Sequence, residues 1–331
     1  MEIGKTERKE RRLTPLDFNI YTDNYTYQRN KNHVTLPLEE VLVTKYSGAS
    51  KVFLMSSCME AITCLLEYLL PCGGRIVADR DLYHETKQYL DFVKRYEVVE
   101  VNCQDKDAVR ETLERMHTAA QDADVLYLDN PSFFMKFYDV MELSRIAHEY
   151  NVKVIVDNTL LSFYYMDPIR AGADYCVESY TKYVSGHGDV LAGGLVCKDM
   201  PKDDLAWFIG RRGRMVNAMT VFLIERSLET LDVRMQRHTE NGKYIYQKLK
   251  EKGVNAWYAG AGGCLVLPGL TEETCNRFKV FRKISTFGIT FSTVSFVRSP
   301  LFYQYGHFIR LSCGLEDKEV LWEDVRQALF D

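Results

Sequence analysis

From Val52 onward, short apolar runs alternate with stretches of helical spacing. The run KVFLM ends at Ser56-Ser57, and the stretch from Met59 to Leu70 has helical periodicity before Pro71 and the Gly73-Gly74 break. Arg75 to Ala78 reads as a strand, Glu85 to Lys94 as a helix and Glu97 to Val101 as a strand. Asp105 to Ala119 reads as a helix, Asp124 to Leu128 as a strand and Val140 to Tyr150 as a helix, while KVIVDN and ADYCVES read as further buried strands. Short apolar strands alternating with amphipathic helices predict an α/β fold whose mostly parallel sheet carries helices on both faces. Residues 1 to about 50 are polar, rich in Tyr, Asn and Lys, and weakly periodic, so they read as an extended N-terminal arm lying on a neighbouring subunit. Asn217 to Lys250 reads as one long helix. It links a large domain over residues 51–240 to a small C-terminal α+β domain over residues 241–331.

Composition narrows the classes. The chain has 331 residues, 46% of them hydrophobic, with 42 Lys and Arg against 46 Asp and Glu. A net charge of −4 provides no basic footprint for nucleic acid and no pull toward an anionic membrane surface. The opening MEIGKTERKERR lacks the apolar core of a secretory signal, and no apolar run approaches the length of a membrane span. Nine scattered cysteines form no C-x-x-C pair, which argues against both a zinc site and a disulfide framework. The expectation is a reduced, cytoplasmic protein that holds no metal.

Parallel sheets bind ligands beyond the carboxyl ends of their strands. That directs attention to Asp129-Asn130-Pro131, to Asp157-Asn158 and to the segment Ser179 to Lys182. Lys182 follows an apparent strand in Ser179-Tyr180-Thr181-Lys182, where hydroxyls flank it. Such a lysine forms a Schiff base if its pKa is depressed; the plain alternative is an exposed loop lysine. Asp157 ends an apolar strand twenty-five residues earlier, well placed to pair with a pyridinium nitrogen, or simply to cap a turn. Ser56-Ser57-Cys58-Met59 precedes a helix, so its backbone amides either hold an anion or are only capped. Tyr83, just after a strand, either stacks on a flat ring or belongs to the core.

Together these segments resemble the Cys/Met-metabolism family of pyridoxal-phosphate enzymes, which includes cystathionine γ-synthase, cystathionine γ-lyase, cystathionine β-lyase and methionine γ-lyase. Asp157-Asn158-Thr159 followed by SYTKYVSGHGDVLAGG is similar to the family's lysine segment. Tyr27-Gln28-Arg29 is similar to its Y-S-R, SSCMEAI to its S-S-G-M-x-A-I, and Leu82-Tyr83 to its stacking tyrosine. Asn130-Pro131, the stretch from Leu228 to Met235, and Arg310-Leu311-Ser312-Cys313-Gly314-Leu315-Glu316-Asp317 match further motifs in order. The resemblance implies a fold-type I, aminotransferase-like large domain with a seven-stranded-type sheet and pyridoxal 5′-phosphate as cofactor. It assigns Ser57, Cys58, Met59, Tyr83, Asn130, Asp157, Ser179, Thr181 and Lys182 to the cofactor, with Tyr27 and Arg29 reaching across to a neighbour's phosphate. Lys182, Tyr83 and Tyr27 take catalytic roles, the tyrosines as general acids whose pKa nearby cations must lower. Arg310 clamps the substrate carboxylate, and Thr286 and Phe291 line the substrate pocket.

The chain also departs from the family pattern. It is some fifty residues shorter, Cys58 replaces the usual phosphate-cradling Gly, and Phe291 stands where a pocket Glu is common. An aromatic there disfavours a second ammonium on the substrate. The implied reaction is elimination or replacement at the β or γ carbon of a sulfur-containing or O-activated amino acid, in a homo-oligomer that is at least a dimer and expected to be a tetramer. Two other readings stay open: a desulfurase- or aldolase-type lyase of the same fold, and a non-catalytic cofactor-binding descendant.

Overall fold

The computed structural model describes residues 34–119, 124–200, 203–213, 216–298 and 306–331. Strands β1 (Lys51–Met55), β2 (Gly74–Asp79), β3 (Tyr96–Val101), β4 (Val125–Asp129), β5 (Lys153–Asp157), β6 (Tyr175–Ser179) and β7 (Gly193–Cys197) form one sheet in the order β1-β7-β6-β5-β4-β2-β3. The strands from β3 to β6 pair in parallel, while β7 runs antiparallel to both β6 and β1. Helices α1 (Leu36–Val43), α2 (Cys58–Leu69), α3 (His84–Val93), α4 (Lys106–Thr118), α5 (Val140–Glu149), α6 (Ser162–Tyr165), α7 (Asp203–Arg211) and α8 (Ala218–Leu228) accompany it.

Alternation along the strands explains the layering. Val125, Tyr127 and Ile155 pack with α2, α3 and α7 on one face, and Leu126, Leu128, Val154 and Val156 pack with α4 and α5 on the other. A sheet covered on both sides buries both sets of its period-2 side chains, which is why these strands read as continuous apolar runs. Near β1 the second face is covered by α1 and α8, through Leu38, Leu42, Val221 and Ile224 against Val52, Leu54 and Val196.

Helix α9 (Leu231–Glu251) leads to a second sheet of β8 (Trp257–Tyr258), β9 (Cys264–Pro268), β10 (Arg282–Lys283), β11 (Thr293–Arg298) and β12 (His307–Ser312), in the order β10-β11-β12-β9-β8. Ile245 and Leu249 of α9, with α10 (Glu272–Arg277) and α11 (Lys318–Phe330), close its core. A further apolar cluster, with Phe133, Phe134, Tyr183, Met235, Val266, Phe287 and Phe308, joins the two sheets.

Two expectations are corrected. Residues 34–50 are not an extended arm: α1 buries Leu38 and Leu42 against the large sheet, and Tyr46 follows them inside. Residues 1–33, with Tyr27 and Arg29, lie outside the described residues. The single long helix is two, broken at Glu229-Thr230. There the Ser227 carbonyl accepts from Thr230 N, from Thr230 Oγ1 and from Arg234 Nη2, so the chain turns before α9 begins. The segment around Gly193-Gly194 contributes the antiparallel strand β7.

Candidate active site

Three parallel strands deliver polar residues to one edge of the large sheet: β4 ends at Asp129, β5 at Asp157 and β6 at Ser179. Asp129 lies beside Asp157 in register. Burial raises the pKa of both carboxyls, and for Asp129 the neighbouring Asp157 charge adds to it. Backbone amides partly offset this. Tyr83 N donates to Asp129 Oδ2 at 2.6 Å and Thr159 N donates to Asp157 Oδ1 at 2.9 Å. The Cys58 thiol approaches Asp157 Oδ2 at 3.8 Å and Thr159 Oγ1 at 3.9 Å. Burial, followed by the Asp157 charge, pushes the thiol's own pKa well up.

Helix α2 opens into the same cavity. Ser57 caps it, its Oγ accepting from Glu60 N at 3.1 Å, and the first-turn amides of Cys58 and Met59 have no intrahelical acceptor. The close support of this helix start by β7 requires glycine. A Cβ on Gly193 would stand 2.5 Å from Cys58 N and 2.6 Å from Ser57 C.

Lys182 follows β6 in a turn that closes through Gly186 N donating to the Lys182 carbonyl at 2.8 Å. Arg234 of α9 braces that turn, donating to Tyr183 O at 2.6 Å and Val184 O at 3.1 Å. A Cβ on Gly186 would collide with the Arg234 guanidinium, so the loop and its brace are matched. Lys182 Nζ donates to Thr286 Oγ1 at 3.2 Å and lies 5.1 Å from the Phe287 ring centroid. Burial first, and the Arg310 charge second, lower its pKa from 10.5 to about 8. Across the cavity, Arg310 of β12 is 5% exposed and sits over Phe133 and Phe287, 5.6 and 5.2 Å from their centroids. Its guanidinium has no hydrogen bond or ion pair among the described residues.

The cavity is lined by Ser57, Cys58, Met59, Tyr83, Asp157, Ser179, Thr181, Lys182 and Arg310, so most of the residues singled out in the sequence meet around one space. Thr181 Oγ1 also bonds to Ala192, donating to its carbonyl and accepting from its amide. Thr286 touches the site through Lys182 rather than lining it. Asn130 is fully buried between two lining residues, Asp129 and Pro131. Its Oδ1 accepts from Tyr138 N at 2.9 Å, and its Nδ2 has no partner.

Two expectations fail. Phe291 does not line the cavity, because the chain turns at Gly288 (φ +71°) and sends Phe287 inward instead. The Phe291 ring packs under Arg282, 3.9 Å from centroid to guanidinium carbon. Nor is the Tyr83 phenol made more acidic by nearby cations. Burial and Glu85 raise its pKa, and Arg310 offsets only part of that rise. The sequence reading also missed Phe133, Phe287, Ser285 and His84, all of which line the cavity. Nothing in their local pattern separates them from core or loop residues.

Among the described residues no cluster of three or more His, Cys, Asp or Glu is arranged to hold a metal ion. No helix is long and apolar enough to cross a membrane.

Comparisons with known proteins add to this geometry. The sequence model of the family described as "Cys/Met metabolism PLP-dependent enzyme" matches residues 8–261. A cystathionine gamma-synthase of Haemophilus influenzae is 29% identical over 327 residues, covering 92% of this chain and 86% of its relative. An L-methionine gamma-lyase of Fusobacterium nucleatum is 33% identical over 250 residues, covering 73% of this chain and 62% of that protein. A solved methionine gamma lyase from Micromonospora echinospora superposes with a TM-score of 0.83 at 27% identity, covering 93% of this chain and 89% of that one.

Proposed function

Because the chain belongs to the Cys/Met-metabolism family of pyridoxal-phosphate-dependent enzymes, we propose that the cavity between the two sheets carries out elimination or replacement at the β or γ carbon of a sulfur-containing or O-activated amino acid. The relatives' names, cystathionine gamma-synthase and L-methionine gamma-lyase, span both reaction types. The residues present fit the cofactor. The α2 start, held close by Gly193, offers first-turn amides and the Ser57 hydroxyl to a phosphate. Asp157 offers a carboxylate to a ring nitrogen, the Tyr83 ring lines the same space, and Asn130 Nδ2 is a buried donor still lacking an acceptor.

When bound, pyridoxal 5′-phosphate supplies an electron sink for negative charge beside the amino group. The chain's own residues do the rest. Lys182 is the base: with a pKa of about 8, a useful fraction of its amine is neutral near pH 7.5, ready to take a proton from Cα and return one to a neighbouring carbon. Thr286 Oγ1 fixes the direction of that amine. Arg310, held between two rings and lacking an anion, receives the substrate carboxylate in a guanidinium fork. Tyr83, kept protonated by its raised pKa, donates a hydrogen bond to a departing heteroatom. Phe133 and Phe287 exclude water from the reacting carbons.

The depressed Lys182 amine, sharing one cavity with Asp157 and the α2 start, carries this reading. It is tested by the visible spectrum of the protein reconstituted with pyridoxal phosphate. The wild type is expected to show a yellow band that borohydride bleaches, Lys182→Ala to lack it, and 2-oxo acid or product formation to fall at least about 10²-fold. A wild type that forms no band, or a Lys182→Ala protein with full turnover, refutes it.

The assembly belongs to the same proposal. Tyr27 and Arg29 complete the phosphate site of a neighbouring copy, so the active unit is at least a dimer and a tetramer is expected, which light scattering measures. The proposed division of the chain is a cofactor domain that takes in α1 and runs to residue 240, and a small domain over 241–331, in a cytoplasmic protein.

A further inference from the structure

The substrate side of the cavity is built from rings and cations. Phe287 carries both Lys182 and Arg310 against its ring, and Phe133 carries Arg310. Leu160, Pro131 and Val297 complete the wall. Among the described residues the only carboxylates lining the space are Asp129 and Asp157. Both stand at strand ends on the cofactor side: Asp157 Oδ1 accepts from Thr159 N and Asp129 Oδ2 from Tyr83 N, while Asp129 Oδ1 is buried there without a partner. Glu85, just outside, faces His84 Nε2 at 3.2 Å and does not line the cavity.

On the substrate side, among the described residues, a positively charged side-chain end meets the two rings, Arg310 and the Lys182 amine, and no carboxylate. An exposed aromatic face attracts ammonium groups, but these two rings already hold Arg310 and Lys182. The entering charge therefore loses its water with no compensating partner. An uncharged end, a methyl, thioether or acyl group, meets only apolar contacts.

Resting on the amino-acid reading above, we propose that this site selects substrates whose side chain ends in an uncharged group, and that Phe133 and Phe287 enforce the choice. Phe291 lies outside the cavity and takes no part in the selection.

The test compares S-propyl-L-homocysteine with S-(2-aminoethyl)-L-homocysteine, which are equal in length and differ by a terminal methyl against a terminal ammonium. Protein saturated with pyridoxal phosphate is titrated with each. Affinity is read from the saturable change in the visible spectrum, and kcat/KM from thiol release. The propyl compound is expected to be favoured on the order of a hundredfold in both readouts. Phe133→Glu and Val297→Glu each place a carboxylate on the same wall, and in any variant that keeps the visible band the preference is expected to narrow to within about tenfold. Equal or tighter binding of the aminoethyl compound to the wild type overturns the selection while leaving the amino-acid site intact. A preference unchanged in both carboxylate variants overturns its assignment to this wall. No spectral response to either compound overturns the amino-acid reading, and the selection with it.

Discussion

Replacing Gly193 by Ala tests whether the packing of two backbones sets cofactor affinity. The added Cβ would stand 2.5 Å from Cys58 N, 2.6 Å from Ser57 C and 2.7 Å from Cys58 Cα. All three are backbone atoms, so no side chain can swing aside. Ordinary contact begins at 3.4 Å, and the start of α2 must therefore retreat from β7 by about 0.9 Å. Overpacking of this kind costs about 1–3 kcal/mol. Because the displaced atoms are the amides that face the phosphate, the cost falls on the bound state, equivalent to a roughly ten- to hundredfold loss of cofactor affinity. The assay is titration of cofactor-stripped protein with pyridoxal phosphate, followed by visible absorbance, beside a thermal melt. Affinity within about twofold of wild type refutes the claim that β7 sets the position of this helix start.

Other consequences are more local. Lys182 has its pKa lowered to about 8 in the folded chain, so the folded state binds fewer protons than the unfolded one between about pH 8 and 10.5. The contribution of Lys182 to the stability of the stripped protein therefore rises with pH through that window by an amount on the order of 3 kcal/mol. Relative to Lys182→Met, the wild type is expected to gain stability between pH 7.5 and 10, as urea unfolding of both proteins at the two pH values will measure. Asp324 of α11 accepts from the amides of Lys279, Val280 and Phe281 at 2.8, 2.8 and 2.9 Å. Asp324→Ala strands these donors and should destabilise the small sheet by roughly 3 kcal/mol or more, seen as a lower urea midpoint. The Cys58 thiol is held protonated by burial and Asp157, so iodoacetamide at pH 7.5 should label exposed Cys72 well before Cys58, as peptide mass spectrometry will show.

The parallel core was legible because its strands are buried on both faces and so read as apolar runs, with Asp129, Asp157 and Ser179 marking where each run stops. Strand β7 was not. It begins with Gly193-Gly194, a pair that reads as a loop by propensity, and its reason is tertiary. Gly193 makes room for the α2 backbone, and a Cβ on Gly194 would overlap the Tyr180 ring. The division between α8 and α9 is equally hidden, since what ends the helix is Arg234 reaching back for the Ser227 carbonyl while it braces the Lys182 turn.

The same distinction separates the two halves of the site. Lys182, Asp157 and the α2 start are held by backbone features with a short sequence signature: a strand end, a capped helix and a glycine-bearing turn. The substrate wall has no such signature. Whether Phe287 or Phe291 points inward depends on Gly288, where a Cβ would stand 2.9 Å from the Tyr183 backbone nitrogen and ring. The turn thus packs directly on the residue after Lys182, and the direction of Phe287 is tied to the lysine loop. Phe133 reaches the same place from the end of β4, three residues beyond Asn130. Two aromatic residues from different sheets meet around Arg310 only once the interface between the sheets is formed. A change in that interface, for instance at Phe308, which contacts Phe133 at 5.9 Å between ring centroids, should therefore alter substrate preference before it alters cofactor binding.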